Sequence, residues 1–377
     1  MKKYSILFVD DDTRLLSALR RLMMTRAVEW SCQYSASPEE ALALVTTQHF
    51  DVVVSDMQMP GMDGAALLQE VRIISPDSIR IVLSGYSRTE TIARVAGPAH
   101  QYLAKPCPSD TLFDVIQRSL MLREFFNSPV LRRMAGALTA LPSPSGKYAS
   151  LLALLDSPVS NATDIAQAMT GDVAMVAEIL KLTNSQYFSL ATKVTSVDQA
   201  VRILGVEIIR LLVLNVGIFS MFKATGPAAR VMNMVEARGL LLANAAAERA
   251  SVIGGTQRDI QFARIAGMLS EIGMLILLDR DPDHYTLALS KAVASGQTVA
   301  ETEQRLLQVT HGDLGAYLLG TWGFNDDVVW AVAAISPSAP TEARNSVVAR
   351  ALLSARTLHP LEQALKAVFS EPTAAHA

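Results

Sequence analysis

The chain has 377 residues, 50% of them hydrophobic, and a formal net charge of −3. A single core rarely grows past ~250–300 residues, so two or three domains are expected, and a chain without a global basic field is not expected to bind nucleic acid by bulk electrostatics. The two cysteines, Cys32 and Cys107, are too few for a disulfide framework and fit a reducing cytosol, so a cytoplasmic location is expected.

The opening residues, MKKYSILFVDDD, imitate a secretory signal only briefly, because Asp10, Asp11 and Asp12 end the apolar run. The apolar stretch from Val201 to Phe222 carries Arg202, Glu207, Arg210 and Asn215, which makes it a buried core helix rather than a membrane span. No membrane association is expected.

Residues 4–9 form a buried-strand pattern, followed by the acidic cluster and an amphipathic helix to about Arg26. A second strand near 30–34 leads to Ser37-Pro38-Glu39-Glu40, a helix start with Ser37 as the cap. The third strand, Val52 to Val54, ends at Ser55-Asp56, and its helix follows from about Gly64 to Ile74. A fourth strand, Ile79 to Leu83, ends at Ser84-Gly85, a short helix follows over about 87–95, and a fifth strand near 100–104 ends at Lys105-Pro106. A last helix runs from about Ser109 past Leu122. This is a (βα)5 alternation, which implies a parallel, doubly wound sheet with flavodoxin-like order.

In that order the first and third strands are neighbours, so the acidic cluster meets Asp56 across one crevice at the strands' carboxyl ends. Carboxylates converging there favour a hard divalent cation with oxygen ligands, Mg²⁺ foremost. Ser84 and Lys105 face the same crevice and supply a hydroxyl and an ammonium for a phosphoryl group on Asp56. Taken singly, Asp11 or Asp12 reads as a helix cap, Ser84-Gly85 as a turn and Lys105 as a solvent-exposed cation. Their placement at the ends of four strands of one unit favours the functional reading.

On these motifs, Asp10-Asp11, SDMQMPGMDG, IVLSGYS and QYLAKPCP, residues 1–123 resemble a response-regulator receiver domain. The resemblance implies that Asp56 is the phosphoacceptor and that Asp11 and Asp56 bind Mg²⁺, with Asp10 in support and the backbone carbonyl of Gln58 as a further ligand. It implies that Ser84 and Lys105 bind the phosphoryl oxygens, that Tyr102 reorients on activation, and that Lys105-Pro106 is a cis peptide. Gly85 stands where the family usually has alanine.

Residues 124–146 read as a helical linker ending in the breaker-rich entry loop LPSPSG. Beyond it the chain reads helical. Ser196 to Gln199 form a capping box before a helix that Gly205 can end, and VEIIRLLVLNVGIFSMF is expected to be the central core helix. Long helices follow over about 228–253 and 258–279, then shorter ones to about 335. Residues 341–377 form an extension with one or two helices and a disordered tail, EPTAAHA.

A helical metal-dependent phosphohydrolase of the HD type would carry a His-Asp pair where this chain has Ser270-Glu271 in AGMLSEIGMLIL. Serine is a poor ligand there, and the nearby His311 reads as a core histidine hydrogen-bonded in place. Arg230, Arg238 and Arg249 read as a solvated face rather than a DNA-recognition helix. ILKLTNSQYFS, TSVDQAVRILGVEIIRLLVL, AGMLSEIGMLIL and THGDLGAYLLGTWGF resemble an HDOD domain over 147–340, the non-hydrolytic relative of HD phosphohydrolases. The resemblance implies an all-α output domain that binds signalling partners without catalysis. The expectation is therefore a response regulator, not an enzyme, phosphorylated on Asp56 by a histidine kinase. Its partners are signalling proteins, cyclic-dinucleotide enzymes among the candidates, with self-pairing left open and no direct DNA binding. The alternative is a phosphohydrolase or cyclic-dinucleotide phosphodiesterase built near Glu271 and His311.

Overall fold

The computed structural model describes residues 4–26, 29–85, 97–157, 160–186, 188, 190, 193–213 and 218–370. Contacts divide it into two compact units: Met1–Thr139 with Asn184–Lys193 and Thr321–Gly323, and the remainder of the chain.

The first unit contains β1 (Tyr4–Val9), α1 (Thr13–Arg26), β2 (Trp30–Ser35), α2 (Pro38–Thr47), β3 (Val52–Asp56), α3 (Gly64–Ile74), β4 (Ile79–Ser84) and β5 (Gln101–Ala104), then α4 (Ser109–Phe125) and α5 (Pro129–Gly136). The five strands are parallel in the order β2-β1-β3-β4-β5, the flavodoxin-like arrangement expected. Every residue of β3 and β4 is buried, as apolar runs require where helices cover both faces of a sheet. Val9 pairs with Ser55, so the residues following β1 arrive beside the end of β3. The helix expected over 87–95 lies outside the described residues.

At the opposite, amino-terminal edge of this sheet, the segment after residue 123 is held to the first unit. Arg123 pairs with Asp51 at 2.9 Å, and Arg80 on β4 donates to the carbonyl of Gly136 at 2.8 Å. A Cβ at position 136 would lie 1.6 Å from the carbonyl oxygen of Pro76, so only glycine lets α5 come this close.

The second unit begins with β6 (Leu141–Pro144), then α6 (Ser145–Asp156), α7 (Ala162–Thr170), α8 (Val173–Thr183), α9 (Val197–Leu204), α10 (Val206–Leu211) and β7 (Phe219–Phe222). It continues with α11 (Gly226–Val252), α12 (Gln257–Leu269), α13 (Ile272–Arg280), α14 (Pro282–Ser295), α15 (Val299–Leu307), α16 (His311–Thr321) and α17 (Asp326–Ala333). A 3₁₀ turn (Thr341–Arg344), α18 (Val347–Leu358) and α19 (Leu361–Ser370) complete it.

Three features depart from the sequence reading. The expected entry loop is strand β6, paired in parallel with β7. Prolines at alternate positions 142 and 144 place their missing donors on one edge of the strand and leave Leu141 and Ser143 to donate on the other. The run VEIIRLLVLNVGIFSMF is not one central helix: its start forms α10, and its aromatic end, Phe219 to Phe222, is β7. The long core helix is instead α11, whose 27 residues pack along α12, α18 and α19.

The single helix expected over 258–279 is also divided, into α12 and α13, at Ser270-Glu271. Two close approaches flank the break. A Cβ at Gly267 would meet the backbone of Leu242 at 2.3 Å, and one at Gly273 the backbone of His311 at 2.0 Å. The stretch Gln257–Arg280 is long and apolar enough to cross a membrane, yet 83% of its most apolar window is buried within the protein. The extension beyond residue 340 packs onto α11 through α18 and α19, while the tail from 371 lies outside the described residues.

Candidate functional site

The carboxyl ends of β1, β3 and β5 bring together Asp10, Asp11, Asp56 and Lys105. Carboxylate oxygens of Asp10, Asp11 and Asp56 all lie within 4.8 Å of one another. Asp10 and Asp56 are buried and Asp11 is exposed. Asp12 resolves the question of the cap: its Oδ1 accepts from the amide of Arg14 at 2.8 Å, so Asp12 caps α1 and leaves Asp11 turned to the crevice.

Lys105 closes the cluster from β5. Its Nζ lies 2.7 Å from Asp10 Oδ2 and 2.6 Å from Asp56 Oδ1. The second contact is an ion pair without hydrogen-bond alignment, which leaves Asp56 Oδ1 buried and without a directed donor. Burial pushes the Asp56 carboxyl above its ordinary pKa, and repulsion from Asp10 adds to this, against the pull of Lys105. Burial lowers the Lys105 pKa, but its two carboxylate partners outweigh that and hold the ammonium above its usual value.

The remaining expected residues fall around this centre. Ser84 is buried at the end of β4, and its hydroxyl donates to the Gly85 carbonyl at 3.2 Å. Gln58 follows β3 with an exposed side chain. Tyr102 is buried on β5, with its hydroxyl donating to the Ala99 carbonyl at 3.0 Å. Lys105-Pro106 is cis. Gly64 opens α3 directly over Asp56, where a Cβ would lie 1.9 Å from the Asp56 carbonyl oxygen.

The set suits a small hard cation. Three oxygen donors converge, and the buried Asp56 carries negative charge that Lys105 only partly offsets, a condition that oxygen-bound Mg²⁺ relieves.

In the second unit, the position where an HD-type centre would stand holds an ion network. Glu271 is fully buried, and its Oε1 accepts from Arg356 at 2.6 Å and from Arg238 at 3.1 Å. His311 Nδ1 lies 2.8 Å from Glu303 Oε2, and its Nε2 lies 3.5 Å from Glu271 Oε2. The hydroxyl of Tyr285 donates to the other oxygen of Glu303 at 2.6 Å. Burial alone would raise the Glu271 pKa, but Arg356, Arg238 and His311 bring it down to about 2. Burial lowers the His311 pKa, but Glu303 and Glu271 raise it above its ordinary value.

His311 is thus a hydrogen-bonded core histidine, as expected, whereas Arg238 does not lie on a solvated face: it is buried against Glu271. Both guanidinium groups bind Glu271 Oε1, while Oε2 faces His311 Nε2 without a hydrogen bond. Arg356, Glu303 and Tyr285 escape a sequence reading because no local motif marks them.

A second buried cluster caps α8. Asp172 accepts from Ser143 Oγ and from the amide of Met175, while Glu236 on α11 accepts from the amide of Val173 and pairs with Lys147 at 2.9 Å. Burial, with repulsion from Asp172, pushes the Glu236 carboxyl up to about 7.

These features agree with the comparisons. The model of the response regulator receiver domain matches residues 6–117, and that of the HDOD domain matches residues 141–337. The chain belongs to the HDOD domain family, with a receiver domain ahead of the HDOD domain.

Among curated proteins, the hydrogenase transcriptional regulatory protein HoxA of Cupriavidus necator is 31% identical over 179 residues, covering 44% of this chain and 36% of that protein. The C4-dicarboxylate transport transcriptional regulatory protein DctD of Pseudomonas aeruginosa is 34% identical over 122 residues, covering 31% of this chain and 25% of that protein. The chain therefore spans between a quarter and little more than a third of these relatives.

Among solved structures, the MmoQ response regulator from Methylococcus capsulatus is 23% identical with a TM-score of 0.44, covering 60% of this chain and 92% of that one. The signal receiver domain of an HD domain-containing protein from Pseudomonas fluorescens is 26% identical with a TM-score of 0.31, covering 33% and 98%.

Proposed function

We propose that the protein is a response regulator in which a histidine kinase phosphorylates Asp56 and a non-catalytic HDOD domain binds signalling proteins in response. The observation that carries this reading is Lys105 held between Asp10 and Asp56 at 2.7 and 2.6 Å beside an acidic cluster.

In the reaction, an Asp56 oxygen attacks the phosphorus of a phosphohistidine. The P–N bond breaks as the P–O bond forms, and the electron pair leaves with the imidazole nitrogen, which takes up a proton. Asp10, Asp11, Asp56 and the Gln58 carbonyl would hold Mg²⁺, which offsets charge on the transferring group. Lys105 positions an ammonium against the phosphoryl oxygens, and Ser84 exchanges its bond to Gly85 for one to the new phosphate. The product adds roughly −1.5 to −2 charges at the crevice.

The reading that the HDOD domain is non-catalytic is supported by Arg238 and Arg356, which both donate to Glu271 Oε1 and set two positive charges beside the carboxylate. A carboxylate so engaged is a poor metal ligand. The partners proposed are proteins, with cyclic-dinucleotide enzymes among them, and phosphorylation is proposed to change which are bound.

Incubation with a small phosphodonor tests the first part: the native chain acquires acid-stable label and Asp56→Asn does not. Persisting label in that variant refutes the assignment. Affinity capture with and without beryllofluoride tests the second, and identical partner sets in both states refute the switch.

A further inference from the structure

Three consecutive residues before β5 are held from two sides. Ala99 accepts the Tyr102 hydroxyl at 3.0 Å. Its neighbours belong to Arg80: Pro98 O accepts from Arg80 Nε at 2.7 Å, and His100 Nδ1 accepts from the Arg80 amide at 3.0 Å. The His100 amide in turn donates to the Arg80 carbonyl at 2.8 Å. The same guanidinium reaches the segment after the receiver, with Nη2 donating to Gly136 O at 2.8 Å and Nη1 to Ser78 O at 3.1 Å and Pro76 O at 3.3 Å. Pro76 O is the atom that a Cβ on Gly136 would strike.

We propose that Arg80 couples Tyr102 to the docking of α5, so that the buried position of Tyr102 and the seated position of the linker helix stabilise each other. The physical reason is the fixed fork of the guanidinium. Its donors lie in one plane, so displacing the Pro98 acceptor tilts the group and misaligns the bond to Gly136. Arg80 is 2% exposed, so water does not replace a bond lost there. β4 thereby carries Ser84 at the end near Asp56 and Arg80 at the end that holds the linker. The coupling is reciprocal: undocking α5 loosens the 98–100 turn by the same factor as freeing the turn loosens α5. This deepens the switch reading, which supplies the direction of the signal, but the coupling exists in the unphosphorylated chain.

Hydrogen exchange on the full chain without phosphodonor tests it. Tyr102→Phe removes only the hydroxyl, and is expected to raise exchange over 129–136 by about fivefold or more, the lower end of allosteric couplings. Arg80→Gln has the same effect, and the double variant exceeds Arg80→Gln alone by nothing. Gly136→Ala, which unseats α5, raises exchange at 98–101. Unchanged exchange over 129–136 in Tyr102→Phe overturns the proposal, as does a double variant whose effect is the product of the singles. Should Arg80→Gln not fold, Tyr102→Phe and Gly136→Ala decide the question from the two ends. Failure of Asp56 to accept label leaves these outcomes standing, so the two readings fail separately.

Discussion

The ammonium nitrogen of Lys105 lies 2.6 Å from Oδ1 of Asp56, although β4 separates their strands in the sheet. A cation from β5 therefore reaches across one strand to the carboxylate at the end of β3. Replacing it, as in Lys105→Met, removes the charge proposed to meet the incoming phosphoryl group. The expected loss in the rate of labelling by a small phosphodonor is about 10²-fold, the scale for one electrostatic donor in a reacting site. A change of less than about threefold would remove Lys105 from the mechanism.

Mg²⁺ binding provides a second test. Asp11 is the exposed member of the acidic cluster, so Asp11→Asn leaves the buried Asp10, Asp56 and Lys105 contacts in place. Titration calorimetry of the native chain should show one Mg²⁺ site. The substitution should weaken it by at least the ~10–100-fold typical of losing a supporting group around a metal. Equal affinities would move the site away from Asp11.

Glu271→Gln tests the ion network of the second unit. It leaves the buried Arg238 and the partly exposed Arg356 without their carboxylate; stranding a buried charge costs about 3–5 kcal/mol. Denaturant unfolding should show the loss in the transition of the second unit. The folded carboxyl lies at about 2 against an ordinary 4.5. Its stabilising contribution is therefore present above pH 4.5 and disappears as pH falls towards 2, and the variant should lack that dependence.

Glu236 predicts the opposite slope. Its carboxyl sits at about 7 when folded against 4.5 ordinarily, so the folded state holds the proton more firmly. Stability from this group is fully present below pH 4.5 and is lost as pH rises to about 7. Glu236→Gln mimics the protonated form and should flatten unfolding free energies over that window. An unchanged slope would show that another group titrates there.

The receiver crevice was legible because each of its groups stands at the end of a strand with a recognisable apolar run, and the parallel order brings those ends together. Asp56, Ser84 and Lys105 could be placed from the short apolar runs that precede them and the βα alternation they belong to. The ion network of the second unit carried no such marker. Glu271 meets Arg238 and Arg356 from 33 and 85 residues away, on helices whose burial patterns name no partner. Arg238 looked like one of three scattered surface charges. The strands β6 and β7 were hidden for a related reason: proline in one and a flanking apolar helix in the other mask a pairing that only the folded chain provides. Where a function depends on local order the sequence is readable, and where it depends on distant charge partners it is not.

Glu236 and Arg238 stand two residues apart on α11 and serve different clusters, one at the start of α8 and the other at the break between α12 and α13. The longest helix of the unit is therefore pinned on two sides at one level, like an axle seated in two bearings. Sliding or turning it by a fraction of a residue would unseat both buried carboxylates together. Such a domain resists gradual deformation and would meet anything that docks on it as a stiff body.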